Sequence, residues 1–120
     1  MNWTLTDGTP IWMQLYDQLV QRIATGVYPK GSRMPAVREL AADAGVNPNT
    51  MQRALAQLET SGLVLTNRTA GRTVTEDGRI LSDMCMQLAQ AHIAQYLKNM
   101  ALLGFTKEEA VQLLQKREGE

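Results

Sequence analysis

Asn47, Asn49, Thr50, Gln52 and Arg53 are the side chains best placed to do chemistry in this chain, four small polar or amide groups and one cation close together. Such groups read base edges and bind phosphates. Catalysis is poorly served by comparison. Cys85 and His92 are the single cysteine and the single histidine, seven positions apart, and neither clustered carboxylates nor a glycine-rich phosphate loop accompany them. A zinc site needs about four ligands, so no metal or other cofactor is expected, and both residues are read as structural filling. One cysteine also excludes an internal disulfide.

The polar set must be held by a helix, and the surrounding stretch VRELAADAGVNPNTMQRALA, Val37 to Ala56, reads as two short helices joined by a tight turn. Leu40, Ala41 and Ala44 recur at helical spacing, Gly45 follows as a left-handed cap, and Val46, Met51, Ala54 and Leu55 continue the apolar pattern. Asn47 is a natural N-cap and Pro48 fits the first helical position, where a missing N–H costs nothing. Alone, this pattern also fits an ordinary helical hairpin with a solvated face.

Cations gather on both flanks. Lys30 and Arg33 lie in VYPKGSRMP, a connector punctuated by Pro29, Gly31 and Pro35. Arg38 falls in the first turn of the first short helix, beside the positive end of the dipole, where either a phosphate partner or a salt bridge to Glu39 or Asp43 would explain it. After Gly62, the β-rich runs Leu63–Thr66 and Thr73–Thr75 enclose NRTAGR, which predicts a hairpin whose loop carries Arg68, Gly71 and Arg72. Those two arginines either meet phosphate or the minor groove, or are simply solvated. Upstream, Asn2–Leu5 is a candidate short strand, and Thr9 is expected to cap a helix that opens at Pro10 and carries Ile11, Leu15, Leu19, Val20 and Ile23 toward Gly26.

Beyond Asp77-Gly78 the pattern changes. Ile80, Met84, Leu88, Ala91, Ala94 or Gln95, Leu97 or Lys98, and Ala101 recur at intervals of three and four, predicting one long helix that ends at Gly104. Thr106 and Glu109 form a capping box for a second helix bearing Ala110, Val111, Leu113 and Leu114. Two amphipathic helices with little of their own domain to cover them should pair with a second copy through Ile80, Met84, Leu88, Ala91, Leu97, Leu113 and Leu114. Met84, Met86 and Met100 suit such a seam.

The chain of 120 residues has a formal net charge of zero and is 44% hydrophobic and 20% charged. That admits one compact domain and a short appendage, here 1–76 and 77–120. No apolar run is long enough to span a membrane, and the N-terminus does not resemble a secretory signal, so a cytoplasmic location is expected. Zero net charge hides an asymmetry: Lys30, Arg33, Arg38, Arg53, Arg68 and Arg72 lie mid-chain, while Glu108, Glu109, Glu118 and Glu120 lie near the end.

Pro10 to about Thr75 resembles the DNA-binding domain of the GntR family of bacterial transcriptional regulators, through PIWMQLYDQLVQRIATGVYPKGSRMPAVRELA, AGVNPNTMQRALAQLETSGLV and the glycine-tipped wing. VNPNT and a tail of about 45 residues are most similar to the YtrA-like subfamily. The resemblance implies a mainly α fold with a small β-hairpin: a winged helix-turn-helix followed by two dimerising helices. It further implies a homodimeric repressor on an inverted-repeat operator in double-stranded DNA. Asn47, Asn49, Thr50 and Gln52 would face the major groove, Arg38 a base or phosphate, and Gly71 the minor groove. Two departures stand out. Ala36 replaces a common serine, and Pro48 and Gln52 stand where other subfamilies have arginine. Any small-molecule effector is left unidentified. The competing expectation is a winged-helix interaction module that binds a partner chain through its C-terminal helices.

Overall fold

The computed structural model describes residues 2–117, so Glu118 and Glu120 of the acidic end lie outside the described residues. Five helices and one hairpin follow in the order α1 (Ile11–Ala24), α2 (Val37–Ala44), α3 (Pro48–Thr60), β1 (Val64–Asn67), β2 (Gly71–Val74), α4 (Gly78–Leu102) and α5 (Lys107–Lys116). This is a mainly helical winged helix-turn-helix fold with two further helices. Two compact units divide the chain, Met1–Cys85 and Met86–Glu120.

In the first unit α3 packs against α1, α2 and β1. Leu15, Leu19 and Ile23 from α1 meet Leu40 and Ala41 from α2, Met51, Ala54, Leu55 and Leu58 from α3, and Leu63, Val64 and Val74 around the hairpin, all essentially buried. Each large member contributes roughly 1.5–3 kcal/mol of hydrophobic stabilisation. Gly45 ends α2 in the left-handed conformation, with φ 71°. Two residues later the Asn47 side chain accepts a hydrogen bond from Asn49 N–H at 2.7 Å and opens α3 with Pro48 in its first turn. The turn between the two helices is thus written in cap chemistry.

The hairpin is antiparallel, pairing Val64 with Val74 and Asn67 with Gly71. The connector ahead of α2 is more than a connector. Arg33 bridges Thr73, Met34 N–H donates to Arg72 C=O at 2.8 Å, and Val74 N–H donates to Ser32 C=O at 2.8 Å, so the segment clips onto β2 as a third, minimal strand. Two N-terminal expectations are corrected. Asn2–Leu5 forms no strand, because its partner is a helix: Gln18 brackets Thr4 and Gln14 brackets Thr6 with side-chain amides that stand in for a neighbouring backbone. Pro10, not Thr9, is the N-cap of α1, and no side chain caps it. Having no hydroxyl, proline leaves the first N–H groups of α1 uncapped.

In the second unit Thr106 accepts from Glu109 N–H at 3.2 Å and the Glu109 carboxylate accepts from Thr106 N–H at 2.9 Å, the expected capping box. Those bonds, first the backbone one, hold the Glu109 carboxyl below the usual carboxylate range. Tyr96 Oη donates to Ala110 C=O at 2.7 Å. Beside that bond runs an apolar groove of about 300 Å³ lined by His92, Ile93, Tyr96, Leu97, Lys107, Val111 and Leu114. The single continuous stripe expected on the long helix is not what forms. At about 100° per residue, Met86, Ile93, Tyr96, Leu97 and Met100 fall roughly opposite Ile80, Met84, Leu88 and Ala91. Most of the predicted positions stay on one side of the helix, and α4 carries a second apolar set across from them. None of its residues is buried. Among the described residues no helix is long and apolar enough to cross a membrane.

Candidate nucleic-acid interface

The core face of α3 dictates its outward face. With Met51, Ala54, Leu55 and Leu58 buried, the 3.6-residue period leaves Asn49, Gln52, Arg53 and Ala56 exposed on one strip, with Thr50 half-buried at its edge. Asn47 lies exposed at the head of the strip, its carboxamide oxygen committed to capping, so its amide donor is what remains for a partner. Arg53 reaches sideways. Its guanidinium carbon stands 4.3 Å from the centroid of the Trp12 ring on α1, a stacking worth roughly 0.5–1 kcal/mol that also restrains the side chain.

Arg38 occupies the first turn of α2, whose N-cap, Ala36, offers no side-chain hydrogen bond. It is exposed and forms no ion pair among the described residues, which disposes of the salt bridge to Glu39 or Asp43. Asp43 instead accepts from Trp3 Nε1 at 2.8 Å. A cation at the positive end of a helix, held in no ion pair, is disfavoured in the free protein and relieved by a phosphate. Lys30, Arg33 and Arg68 are likewise exposed and without ion pairs among the described residues.

Arg33 brings the connector and the wing together. Its Nε would lie 3.9 Å from a Cβ placed on Gly71, which has φ 73° at the start of β2. Left-handed backbone there is the reason for glycine at the wing. Asn67 orders the loop: its side-chain oxygen accepts from Thr69 N–H at 3.0 Å, Thr69 Oγ1 at 3.0 Å and Ala70 N–H at 3.3 Å. Arg72 differs from the other cations. Its Nε donates to Glu59 Oε1 on α3 at 2.5 Å, tying the wing to the recognition-type helix. That hydrogen bond, against a smaller opposing effect of burial and helped by one from Thr66, holds the Glu59 carboxyl below the usual carboxylate range.

Trp12, read from the sequence as packing beside the stripe of α1, is the platform for Arg53, a pairing sequence reasoning missed along with Glu59 and a cluster around Arg22. Arg22 was detectable as a cation inside the apolar run Leu19, Val20 and Ile23; the partners of the other two are distant in sequence and leave no local pattern. Of the residues expected at a pairing surface, Ile80, Met84, Leu88 and Leu97 are half-buried, while Ala91, Leu113 and Leu114 are exposed. Cys85 is an exposed free thiol, and among the described residues no three His, Cys, Asp or Glu side chains are grouped to hold a metal ion.

A family model described as bacterial regulatory proteins, gntR family, matches residues 13–74. The chain is 35% identical over 103 residues to the HTH-type transcriptional regulator YhcF of Bacillus subtilis, covering 86% of this chain and 85% of that one. It is also 35% identical over 72 residues to the HTH-type transcriptional repressor YtrA of the same organism, covering 60% of this chain and 55% of YtrA. A GntR family transcriptional regulator from Listeria monocytogenes superposes with a TM-score of 0.85 at 34% identity, over 95% of this chain and all of that one. From cap chemistry, wing and these likenesses together, the chain belongs to the gntR family of bacterial regulatory proteins.

Proposed function

We propose that this transcriptional regulator, which carries the DNA-binding domain of its family, acts as a cytoplasmic homodimeric repressor on an inverted-repeat operator. The observation that carries the reading is the exposed α3 strip flanked by four cations, Lys30, Arg33, Arg38 and Arg68, that have no ion pair among the described residues. Free cations beside exposed amides match a phosphate backbone alongside base edges. In this reading α3 enters the major groove, where Asn49, Thr50 and Gln52, with the Asn47 amide donor, select bases at about 1–3 kcal/mol per good pair. Lys30, Arg33, Arg38, Arg53 and Arg68 position the protein on phosphates, Arg72 stands at the wing held back by Glu59, and Gly71 lets the wing approach the minor groove.

Dimerisation is proposed through α4 and α5. Leu102, Val111, Leu113 and Leu114 are between 40% and 79% exposed in the single chain, an apolar surface that a second copy would cover. The repressor sense follows from the likeness to YtrA, a transcriptional repressor. Selection from a random duplex pool, followed by a salt series on the enriched sequence, tests the whole reading. Recovery of an inverted repeat whose affinity falls steeply with salt is expected. Failure to enrich any sequence would overturn it in favour of a module that binds a protein partner.

A further inference from the structure

We propose that Trp3 is a positioning residue for the helix-turn-helix, holding α2, and through it Arg38, from outside the region that the family model matches. The inference rests on the DNA-binding reading above. Its starting point is how little α2 has of its own. The helix is eight residues long, has no side-chain cap at its N-terminus, and buries only Leu40 and Ala41. Isolated helices of this length do not persist in water, so the direction of α2 is set by what touches it.

Trp3 touches its last turn. The indole N–H donates to the Asp43 carboxylate at 2.8 Å, across forty residues of sequence. An acid in a final turn is unfavourable for the helix itself, so Asp43 serves a tertiary contact there. The flat face of the same indole lies on Arg22 of α1, whose guanidinium carbon is 3.7 Å from the ring centroid and which is only 8% exposed. Arg22 also donates to Tyr28 Oη at 3.2 Å and to Asn2 C=O at 3.0 Å. One aromatic ring therefore spans a buried cation on α1 and an anion on α2. Nor is the arm a loose lead-in: Gln18 donates to Thr4 C=O at 2.6 Å and accepts from Thr4 N–H at 3.0 Å, while Gln14 accepts from Thr6 N–H at 2.8 Å and donates to the Thr6 and Thr9 carbonyls, each at 2.8 Å. Such a set fixes the height and tilt of the indole against both helices.

The test compares the full-length chain with Trp3→Ala, which removes both contacts, and Trp3→Phe, which keeps the stacking on Arg22 and loses the hydrogen bond to Asp43. Hydrogen exchange of the α2 amides, measured without DNA, should quicken by about tenfold relative to α3 in Trp3→Ala. Affinity for the selected operator, measured far below the unfolding midpoint, should fall by about tenfold with the salt slope unchanged, since no phosphate contact is removed. Trp3→Phe should recover part of both losses. A lowered midpoint with unchanged affinity and unchanged α2 exchange would overturn the proposal and leave the arm a stabilising element only. Lost affinity with a shallower salt slope would also overturn it, by placing the arm on the DNA. If the wild-type chain selects no duplex, the DNA reading fails, while exchange in α2 still decides whether Trp3 holds that helix.

Discussion

Glu59→Gln should loosen the fold slightly and tighten DNA binding. The Arg72–Glu59 pair spans 2.5 Å with side chains 21% and 33% exposed, so solvent screens it and its contribution is on the order of 0.5 kcal/mol. For a unit of this size that corresponds to a drop of about 2–4 °C in the unfolding midpoint. Gln can still accept one hydrogen bond from Arg72, but no longer holds it by charge. Each guanidinium freed to neutralise a phosphate steepens the dependence of log K on log salt by about 0.9, and two wings in a dimer by about 1.8. Fluorescence anisotropy on the selected operator between roughly 50 and 200 mM salt resolves a change of that size. An unchanged slope with equal or lower affinity would refute the reasoning and show that Arg72 works from within the pair. The pH dependence has a defined sign. Because Arg72 holds the folded-state value of Glu59 below its unfolded one, the pair's stabilisation is complete above the unfolded value and is lost as pH falls through the folded one. Glu59→Gln should abolish that acid-side loss.

Arg38→Ala should weaken operator binding by about tenfold or more while leaving the unfolding midpoint in place, since the side chain is exposed and unpaired among the described residues; equal affinity at equal salt would remove Arg38 from the interface. Gly45→Ala meets no neighbour within 4 Å but must adopt φ 71°, so chemical denaturation should show a loss of about 1–2 kcal/mol from conformational strain alone. Leu55→Ala in the fully buried face of α3 should cost about 2–5 kcal/mol by the same measurement. Leu114→Asp should shift a micromolar dimer toward monomer in sedimentation velocity, and a monomeric wild type would contradict the pairing proposed for α4 and α5.

The helix-turn-helix and the wing were legible because their determinants are local. Gly45, Asn47 and Pro48 fix a turn within four residues, and two β-rich runs around a glycine fix a hairpin. Thr106 and Glu109 announce α5 in the same way. What stayed hidden depends on residues far apart. Nothing near Trp3 indicates Asp43, nothing near Arg72 indicates Glu59, and the expected strand at Asn2–Leu5 gave way because its hydrogen-bonding partner was a pair of glutamine side chains on a helix. Arg38 illustrates the middle ground: its type and place raised two explanations, and only the folded arrangement around Asp43 separated them. On α4 the expected stripe followed one side of the helix and left out Ile93 and Tyr96, which line the groove beside α5 from the other side.

The Asn67 side chain bears on the kinetics of the wing. By taking three hydrogen bonds across the loop, it freezes residues that would otherwise lose conformational freedom, about 1–2 kcal/mol per residue, at the moment of complex formation. That entropy is already spent in folding. Association should then be limited by encounter and electrostatic steering rather than by loop ordering, so differences among operator variants should appear as differences in residence time.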